Sequence, residues 1–243
     1  MSPRVEIVSE TGSTSADLLA RLEAGHIVPE GHWLVADRQH GGRGRQGRAW
    51  LDAAGNFMGS TVVRLLPADP PPASLSFVAA LAVYEAVLMH VATPQALQLK
   101  WPNDLLLAGA KLAGILLERA ADSAVVGVGV NLAAAPGLEA RPVRHLGESG
   151  PAPDRDTFAR DLALSFGREL QAWRQEGTIP LFRRWLAAAH PLGTVLTVHG
   201  ADGTPVTGQF DGIASDGALC LRLADGEGRV IHAGDVTIAP GRA

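Results

Sequence analysis

The stretch DLLLAGAKLAGILLE, residues 104–118, predicts a β-hairpin. Two apolar runs of strand length meet at Ala108–Gly109, a pair that suits a tight two-residue turn. With that turn, Asp104 is expected to lie opposite Ala113 on the neighbouring strand. Because cross-strand partners share a face, Asp104 and Lys111 are expected to point the same way. The other face of the hairpin is apolar and is expected to join the core.

Lys111 has few polar neighbours in its own segment, and two interpretations of it stay open. A lysine on an edge strand can protect a sheet against aggregation. The alternative is a cation directed into a binding cleft. Asn131 lies in a comparable position, because it falls near the end of the apolar strand AVVGVGVNL at residues 124–132. Sheets place ligands at such strand ends.

Sequence patterns on either side of the hairpin predict further strands and helices. Near the start of the chain, a strand and a loop precede a helix, in which Thr14 and Asp17 have the spacing of a capping box. The remaining predictions are strands at 32–39, 56–66 and 124–132, a buried helix at 74–92, a helix at 155–177 that ends at Gly177, and a second helix after Pro180.

The sequence changes character after HPLG, residues 190–193. Short β-prone runs follow, separated by the turn signals ADG, SDG, ADGEG and AGD. This pattern is typical of a small β-barrel. We therefore expect an α/β domain over residues 1–190 and an all-β module over residues 191–243.

Composition narrows the class of protein. The chain has 243 residues, of which 47% are hydrophobic, and a net charge of −4, so it predicts a folded protein that is not a dedicated nucleic-acid binder. Cys220 is the single cysteine, which fits a reducing cytosol. No signal peptide and no membrane-spanning run is found in the sequence, and the histidines lack metal-binding spacing. We expect a soluble cytoplasmic protein without a metal site of its own.

The stretch QHGGRGRQGRAW, residues 39–50, concentrates positive charge in this acidic chain. Arg43, Arg45 and Arg48 alternate with glycines, which disfavour a helix and let backbone N–H groups approach a ligand. Guanidinium groups suit carboxylate or phosphate because they offer paired donors and stay charged. Binding of a small anion, contact with a nucleic acid and a solvated surface loop all stay open from this stretch alone.

The stretch LKWPNDLLL, residues 99–107, is a second dense cluster. Pro102 pushes Trp101 into an extended conformation. Asn103 and Asp104 then begin an otherwise apolar strand, where buried polar groups are costly unless they are paired. A capped turn and a binding site are equally compatible with this pattern.

In combination, these clusters make the chain resemble the biotin protein ligases of the biotin–[acetyl-CoA-carboxylase] ligase type. The resemblance covers almost the whole length. It rests on motifs in a fixed order: GSTS, ADRQHGGRGRQGRAW, GNFMGS, KWPNDLLL, KLAGILLE, GVGVNL and the C-terminal β-module. The arginine motif, KWPND and KLAGIL are highly specific when they occur together.

The resemblance implies an α+β fold. Its catalytic domain, residues 1–190, has a mixed β-sheet with flanking helices, as in class II synthetases, and residues 191–243 form a small SH3-like β-barrel. The implied reaction has two steps. The biotin carboxylate attacks the α-phosphate of ATP, which is supplied with Mg²⁺, to give biotinyl-5′-AMP and pyrophosphate. A lysine of a biotin carboxyl carrier domain then attacks this anhydride, takes the biotin and releases AMP.

The resemblance also implies residue roles. Lys111 and Arg45 are catalytic: Arg45 bridges the biotin carboxyl group and the phosphate, and Lys111 stabilises the transition state. Asp104 orients the acceptor lysine. The implied biotin contacts are Ser13, Thr14, Ser15, Gln39, Arg43, Gly44, Arg45, Lys111 and Gly114. The implied ATP contacts are Arg45, Arg48, Trp50, Asn103 and Asn131. The arginine loop is expected to be mobile when empty and to close over the ligands.

This sequence departs from the family pattern in two places. Ser15 stands where the family often has asparagine, and Gln46 stands where a further arginine is common. The biotin motif begins by residue 12, so we expect a short form without an N-terminal DNA-binding domain and without DNA as a partner. The family includes monomers and dimers that pair through sheet edges, so a homodimer stays open.

Three alternative functions are weighed against the biotin ligase. A lipoate or octanoate protein ligase shares the catalytic fold. A nucleic-acid-binding module would use the arginine-rich loop. A catalytically dead biotin sensor would keep the binding site alone, and the intact Lys111 and Arg45 argue against it.

Overall fold

The computed structural model of the chain describes residues 4–136, 142–148, 150–200 and 204–239. These residues form two β-sheets and four α-helices. None of the helices in the described ranges is long and apolar enough to cross a bilayer.

The larger sheet has seven strands in the order β1-β2-β3-β7-β6-β5-β4. Strands β1 and β2 pair in parallel, and the other neighbours are antiparallel, so the sheet is mixed as expected. The strands are β1 Arg4–Thr11, β2 His32–Gln39, β3 Phe57–Arg64, β4 Leu97–Lys100, β5 Asp104–Leu107, β6 Ala110–Ala120 and β7 Ser123–Val130.

The helices cover the two faces of this sheet unequally. They are α1 Thr14–Glu23, α2 Leu75–Leu88, α3 Arg155–Glu176 and α4 Thr178–Ala188. Alternate valines of β7, such as Val126 and Val128, join the large core with α2, α3 and α4, whereas Val125 joins a small core with Leu18 of α1. Side chains of a strand alternate between faces, so Gly127 and Gly129 lie on the α1 face. Glycines there leave room for a cavity.

The helix bounds differ from the sequence-based predictions in three respects. Ser13, rather than Thr14, is the N-cap of α1, and its side chain accepts a hydrogen bond from the Ala16 backbone N–H at 3.4 Å. Helix α2 ends before the predicted 92. Helix α4 begins ahead of Pro180, because the first turn of a helix tolerates proline. Helix α3 ends at Gly177, as predicted.

The β5–β6 hairpin confirms the predicted turn but not the whole register. Ala108 and Gly109 both have positive φ, 49° and 78°, as a tight two-residue turn requires. Asp104, however, lies opposite Gly114 rather than Ala113. The register shifts by one residue between the pairs near the turn and those near Asp104, which is the effect of a β-bulge on β6.

The smaller sheet has five antiparallel strands in the order β11-β10-β9-β8-β12. They are β8 Val195–His199, β9 Pro205–Ile213, β10 Leu219–Arg222, β11 Gly228–Ile231 and β12 Asp235–Ile238. Within the described part of the chain, no ladder joins β11 to β12, so closure into a barrel stays a prediction. Lys100, the last residue of β4, donates a hydrogen bond to the Val236 carbonyl of the smaller sheet, and Trp101 donates one to the Gly217 carbonyl in the loop before β10.

Candidate active site

One cavity of about 650 Å³ collects the residues that the sequence singled out. It lies on the α1 face of the larger sheet, over the glycines of β6 and β7. Every residue assigned a role by resemblance lines it: Ser13, Thr14, Ser15, Gln39, Arg43, Gly44, Arg45, Arg48, Trp50, Asn103, Asp104, Lys111, Gly114 and Asn131. Arg45 and Lys111, which are far apart in sequence, therefore face the same space.

Neutral polar side chains line one end of the cavity. Thr14 Oγ1 lies 2.7 Å from Ser60 Oγ, and Ser15 Oγ lies 2.9 Å from the same atom. Gln39 Oε1 accepts hydrogen bonds from the Thr14 backbone N–H at 3.0 Å and from Thr14 Oγ1 at 3.3 Å. We call Thr14, Ser15, Ser60 and Gln39 the hydroxyl cluster. All four are buried, and none carries a charge.

The start of α1 positions the hydroxyl cluster. Ser13 caps the helix, so Thr14 and Ser15 occupy its first turn. The absence of a side chain at Gly127 makes room for them, since a Cβ atom at that position would lie 2.5 Å from Ser15 Oγ. Ser60 reaches the same point from β3, which pairs with β7 at Gly127.

The indole of Trp50 forms the wall between the two ends. A Cβ atom at Gly129 would lie 2.3 Å from Trp50 Cε2, and one at Gly114 would lie 3.1 Å from Trp50 Cζ3. The ring therefore packs directly on the glycine backbone of β6 and β7. Lys111 Nζ lies 5.7 Å from the ring centroid, within the range of a cation–π interaction.

Charged side chains line the opposite end, with Asp104 at their centre. Lys111 Nζ donates to Asp104 Oδ1 at 2.6 Å, and Lys100 Nζ lies 3.1 Å from Asp104 Oδ2. Burial alone would raise the pKa of Asp104, but the charges of Lys111 and Lys100 outweigh it and hold the pKa below its usual value. Asp104 is thus an ionised, buried carboxylate that fixes the position of Lys111.

Arg45 is the unbalanced charge of the site. Its Nη1 atom is buried and has no hydrogen-bond partner among the described residues. Burial lowers the pKa of the guanidinium group; the nearby carboxylate of Asp235 opposes this effect, and Arg48 adds to it. Buried charges are stable only when they are paired. The lack of a partner indicates that an anionic ligand completes this position.

The arginine loop, residues 42–50, forms a small closed hairpin. The Gly44 N–H donates to the Arg48 carbonyl at 2.7 Å, and the Trp50 N–H donates to the Gly42 carbonyl at 2.9 Å. Arg48 Nη2 lies 2.6 Å from Asp235 Oδ1 of β12, so the smaller sheet contributes to the cavity wall. The predicted mobility of the empty loop stays a prediction.

The two asparagines brace the walls of the cavity. Asn103 Nδ2 donates to the Ile115 carbonyl at 2.7 Å. Asn131 Nδ2 donates to the Arg144 carbonyl at 3.1 Å. The segment around Arg144 also pairs with the backbone of Lys111, whose N–H donates to the Pro142 carbonyl at 3.0 Å. Both amides therefore combine a position on the cavity with a structural hydrogen bond.

Sequence reasoning assigned no role to three polar or charged side chains of the cavity. Ser60 lay inside the quoted motif GNFMGS, where alternation with the apolar residues of β3 could have placed it on the cavity face. Lys100 is the first residue of the quoted motif KWPND and was given no role, although its i,i+4 spacing from Asp104 was a usable signal. Asp235 had no local signal, because its partner Arg48 is 187 residues away in sequence.

The described residues contain no group of three or more His, Cys, Asp or Glu side chains able to hold a metal ion. Both carboxylates of the cavity, Asp104 and Asp235, are paired with cations instead. The arrangement suits a ligand with a neutral polar head and an anionic group, and a second anionic molecule beside it.

Comparison with known proteins agrees with this arrangement. Residues 15–132 match the Biotin/lipoate A/B protein ligase family, and residues 197–238 match the Biotin protein ligase C terminal domain. The chain is 40% identical to the biotin–[acetyl-CoA-carboxylase] ligase of Paracoccus denitrificans, over 95% of this chain and 98% of that protein. It is 38% identical to the Mycobacterium tuberculosis protein of the same name, over 96% of this chain and 88% of that protein.

Solved structures give the same result. The biotin protein ligase from Aquifex aeolicus in complex with biotin and ATP matches with a TM-score of 0.84 and 25% sequence identity. The match covers 98% of this chain and 99% of that chain. The likeness therefore includes both sheets.

Proposed function

The chain belongs to the biotin protein ligase family, and from this premise we propose how the residues of its cavity carry out the family's reaction. The protein is an ATP-dependent biotin–[acetyl-CoA-carboxylase] ligase, which joins biotin to a protein lysine through biotinyl-5′-AMP. The sequence-based prediction of this activity is confirmed.

The hydroxyl cluster receives the head group of biotin in this proposal. The ureido ring is neutral and carries both N–H donors and a carbonyl acceptor. Neutral hydroxyl and amide groups can match both kinds of atom without placing a charge at the buried end of the cavity. Ser13, as the cap of α1, holds Thr14 and Ser15 in position for this contact.

The charged end receives the carboxylate of biotin and the phosphates of ATP. These two anions repel each other, and negative charge builds up around the α-phosphate during attack. Arg45 and Lys111 offset both effects as fixed cations in a water-poor cavity. Arg43 and Gly44 belong to the loop that covers biotin, and Arg48 contacts the phosphates once it exchanges its partner Asp235 for the nucleotide.

The nucleotide lies toward Trp50, Asn103 and Asn131, and Mg²⁺ enters as part of the MgATP substrate. Gly114 gives biotin access to the floor of the cavity, because any side chain there would approach Lys111 and Trp50. In the second step, Asp104 orients the acceptor lysine. A carboxylate that is already ionised can accept a hydrogen bond from the incoming amine.

The acceptor is a lysine of a biotin carboxyl carrier domain, as the activity implies. We further infer that the chain divides into a catalytic domain, residues 1–190, and a C-terminal domain, residues 191–243, with an SH3-like barrel. Strands β1 and β4 lie at the edges of the larger sheet, where a carrier domain or a second copy of the chain could add a strand. A cytoplasmic location fits the reaction, since ATP and carboxylases are intracellular.

The strongest support for this proposal is that the half-buried Arg45 faces the same cavity as Lys111 and that its buried Nη1 atom has no hydrogen-bond partner among the described residues. The test is mass spectrometry of a purified biotin carboxyl carrier domain after incubation with the protein, biotin and MgATP. The expected result is a gain of one biotin on the carrier. A carrier whose acceptor lysine is replaced by arginine is the matched control and should stay unmodified.

Replacement of biotin by lipoate or octanoate tests the related ligase activity. We expect no transfer of either acid, because both lack a polar head group for the hydroxyl cluster. Transfer of lipoate in preference to biotin would contradict the proposed role of that cluster.

A further inference from the structure

We infer that Ser60 is a positioning residue that fixes the direction of hydrogen bonding in the hydroxyl cluster and thereby the selectivity of the site for a cyclic urea. This inference rests on the proposed function, because it concerns the head group of biotin. Ser60 is 1% exposed and makes hydrogen bonds to two of the proposed biotin-binding residues.

The backbone of Thr14 sets the starting point. Its N–H group lies 3.0 Å from Gln39 Oε1 and can only donate. The oxygen of the Gln39 side-chain amide must therefore face Thr14, and the amide nitrogen must face away from it. This contact fixes the orientation of the amide group without any reference to a ligand.

The orientation of the Gln39 amide then fixes which hydroxyl of the cluster donates to which. Thr14 Oγ1 lies 3.3 Å from Gln39 Oε1 and donates to it, because that oxygen has no proton to give. Ser60 donates to Thr14 Oγ1, and Ser15 donates to Ser60 Oγ. This arrangement forms three hydroxyl hydrogen bonds, whereas the opposite direction forms two, so burial favours it.

The result is a defined pattern of one acceptor and one donor. The Ser15 hydroxyl donates its hydrogen bond to Ser60 Oγ, so its oxygen presents only lone pairs to the cavity. The Gln39 amide nitrogen has no hydrogen bond to any of the described residues and presents N–H groups. A cyclic urea has N–H donors beside a carbonyl acceptor, and it complements both atoms. A dithiolane or an alkyl chain complements neither.

The order of the cluster also explains how the site works with Ser15 where the family often has asparagine. An asparagine amide carries its own acceptor and donor at fixed positions. A serine hydroxyl rotates, and it acts as a defined acceptor only when a neighbouring group accepts its hydrogen bond. Ser60 is that neighbour, at 2.9 Å.

A double-mutant cycle on biotin binding tests the inference. The equilibrium dissociation constant is measured by calorimetry for the wild-type protein, Ser15→Ala, Ser60→Ala and the double variant. We expect each single change to weaken biotin binding about tenfold, the value of one buried hydrogen bond. The double variant should bind about as weakly as Ser15→Ala alone, because Ser60 acts through Ser15. Independent effects, which multiply to roughly a hundredfold, or wild-type affinity of Ser60→Ala, would overturn the inference.

Two cyclic carbamate analogues of biotin, in which oxygen replaces one or the other ureido N–H, test the direction of the protons. In one of the two analogues the substituted oxygen faces the lone pairs of Ser15 and repels them. That analogue should bind the wild-type protein about tenfold or more weakly than biotin does. That difference should shrink in Ser15→Ala. If both analogues bind the wild type as well as biotin does, Ser15 is a donor and the inference is wrong.

Ser74→Ala is the matched control, because Ser74 is also 1% exposed and also bonded through its hydroxyl, at 2.6 Å to the Pro71 carbonyl, but lies outside the cavity. It should leave the dissociation constant for biotin unchanged. The outcome is separable from the proposed function. A wild-type protein that fails to biotinylate a carrier contradicts the ligase, whereas a ligase with additive Ser15 and Ser60 effects contradicts only the inference.

Discussion

The two ends of the cavity differ in how complete they are before any ligand binds. In the hydroxyl cluster, the Ser60 hydroxyl bonds to those of Thr14 and Ser15, and Thr14 bonds to Gln39. At the charged end, Arg45 has a buried nitrogen with no partner among the described residues. The hydroxyl groups of the neutral end are thus preorganised, with the Gln39 amide nitrogen left for the ligand, and in the proposed function the anions of the substrates complete the charged end.

This difference assigns substrate affinity mainly to the neutral end and catalysis mainly to the charged end. A preorganised neutral cluster gains affinity at little cost because its groups do not reorganise on binding. A cation such as Arg45, with one buried nitrogen that lacks a partner, lowers the stability of the empty protein but is most strongly stabilised when negative charge develops next to it. The group that destabilises the empty protein therefore lies at the proposed site of the reaction. Removing it should lower activity without lowering stability, whereas disturbing the neutral end should lower both stability and biotin affinity.

Lys111→Ala should have the largest effect. We expect kcat for adenylate formation to fall by more than ~100-fold, the scale of one lost electrostatic donor at a developing negative charge. The measurement is single-turnover formation of labelled biotinyl-5′-AMP from biotin and MgATP. Biotin affinity should change far less, because the head group binds at the other end.

Lys100→Ala is the control for Lys111, because both ammonium groups bond to Asp104. Loss of Lys100 removes a partner of the carboxylate but leaves Lys111 in place. We expect a smaller loss of kcat. Near-normal turnover of Lys111→Ala, or an equal loss in the two variants, would remove Lys111 from the catalytic group.

Arg45→Ala should come next and should separate activity from stability. We expect adenylation to slow by about 10–100-fold and biotinyl-5′-AMP to leak into solution, because a charged hydrogen bond is lost at the reacting groups. The midpoint of thermal unfolding should stay the same or rise, since the empty protein no longer buries a guanidinium nitrogen that lacks a hydrogen-bond partner.

Arg43→Ala serves as the comparison for Arg45. Its side chain is 49% exposed, and its Nη2 atom lies 3.4 Å from Glu118 Oε1, so its charge is already solvated and paired. We expect a smaller loss of adenylation for this variant. A clear drop in the stability of Arg45→Ala, without loss of activity, would show that Arg45 is structural.

Gly127→Ala should affect the neutral end alone. The added Cβ atom would lie 2.5 Å from Ser15 Oγ and must displace it. Overpacking of this kind costs about 1–3 kcal/mol, and we expect biotin binding to weaken by roughly tenfold, with ATP binding unchanged. Calorimetric titration with each ligand measures both.

Gly167→Ala is the control for Gly127, because a Cβ atom at Gly167, within helix α3, meets nothing within 4 Å. It should leave biotin binding unchanged. Equal weakening of biotin and ATP binding by Gly127→Ala would mean that the two ends of the cavity are not separate.

Only part of each end of the cavity could be predicted from the sequence, for a physical reason. Arginine, glycine and the KWPND motif are conspicuous in the sequence because clustered charges in an acidic chain need an explanation. Ser60 is an ordinary residue in an apolar strand, and its partners Thr14 and Ser15 come from a distant helix. Local patterns do not reveal which serine a helix end will meet.

The fold shows the same limit. Hydrophobic periodicity predicted the β5–β6 hairpin and its turn, because both depend on neighbouring residues. The pairing of Asp104 with Gly114 depends on a bulge that no local pattern announced. Likewise, the contact of Arg48 with Asp235 depends on how the smaller sheet packs against the larger one. The elements follow from local chemistry, whereas register and contacts between sheets follow from tertiary packing.

A change of pH should have the smallest effect on ligand binding of all the changes considered, although it should change the stability of the folded protein. The hydroxyl cluster contains no titratable group, and Asp104 at the charged end has a pKa below its usual value, so this carboxylate stays ionised between pH 8 and pH 5. Binding of biotinamide, which lacks the carboxylate, should therefore stay constant over this range. Isothermal titration at both pH values measures it.

Stability should fall over the same range because of His190, which lies between α4 and the smaller sheet. Burial lowers the pKa of His190 to about 4, from 6.5. Below pH 6.5 the unfolded chain takes up a proton that the folded chain does not, so the free energy of unfolding should fall by about 2 kcal/mol from pH 8 to pH 5. His190→Gln should remove most of this slope in urea unfolding and leave biotinamide binding unaltered. If biotinamide binding weakens at low pH in parallel with stability, then binding at the neutral end is not independent of titratable groups elsewhere in the protein.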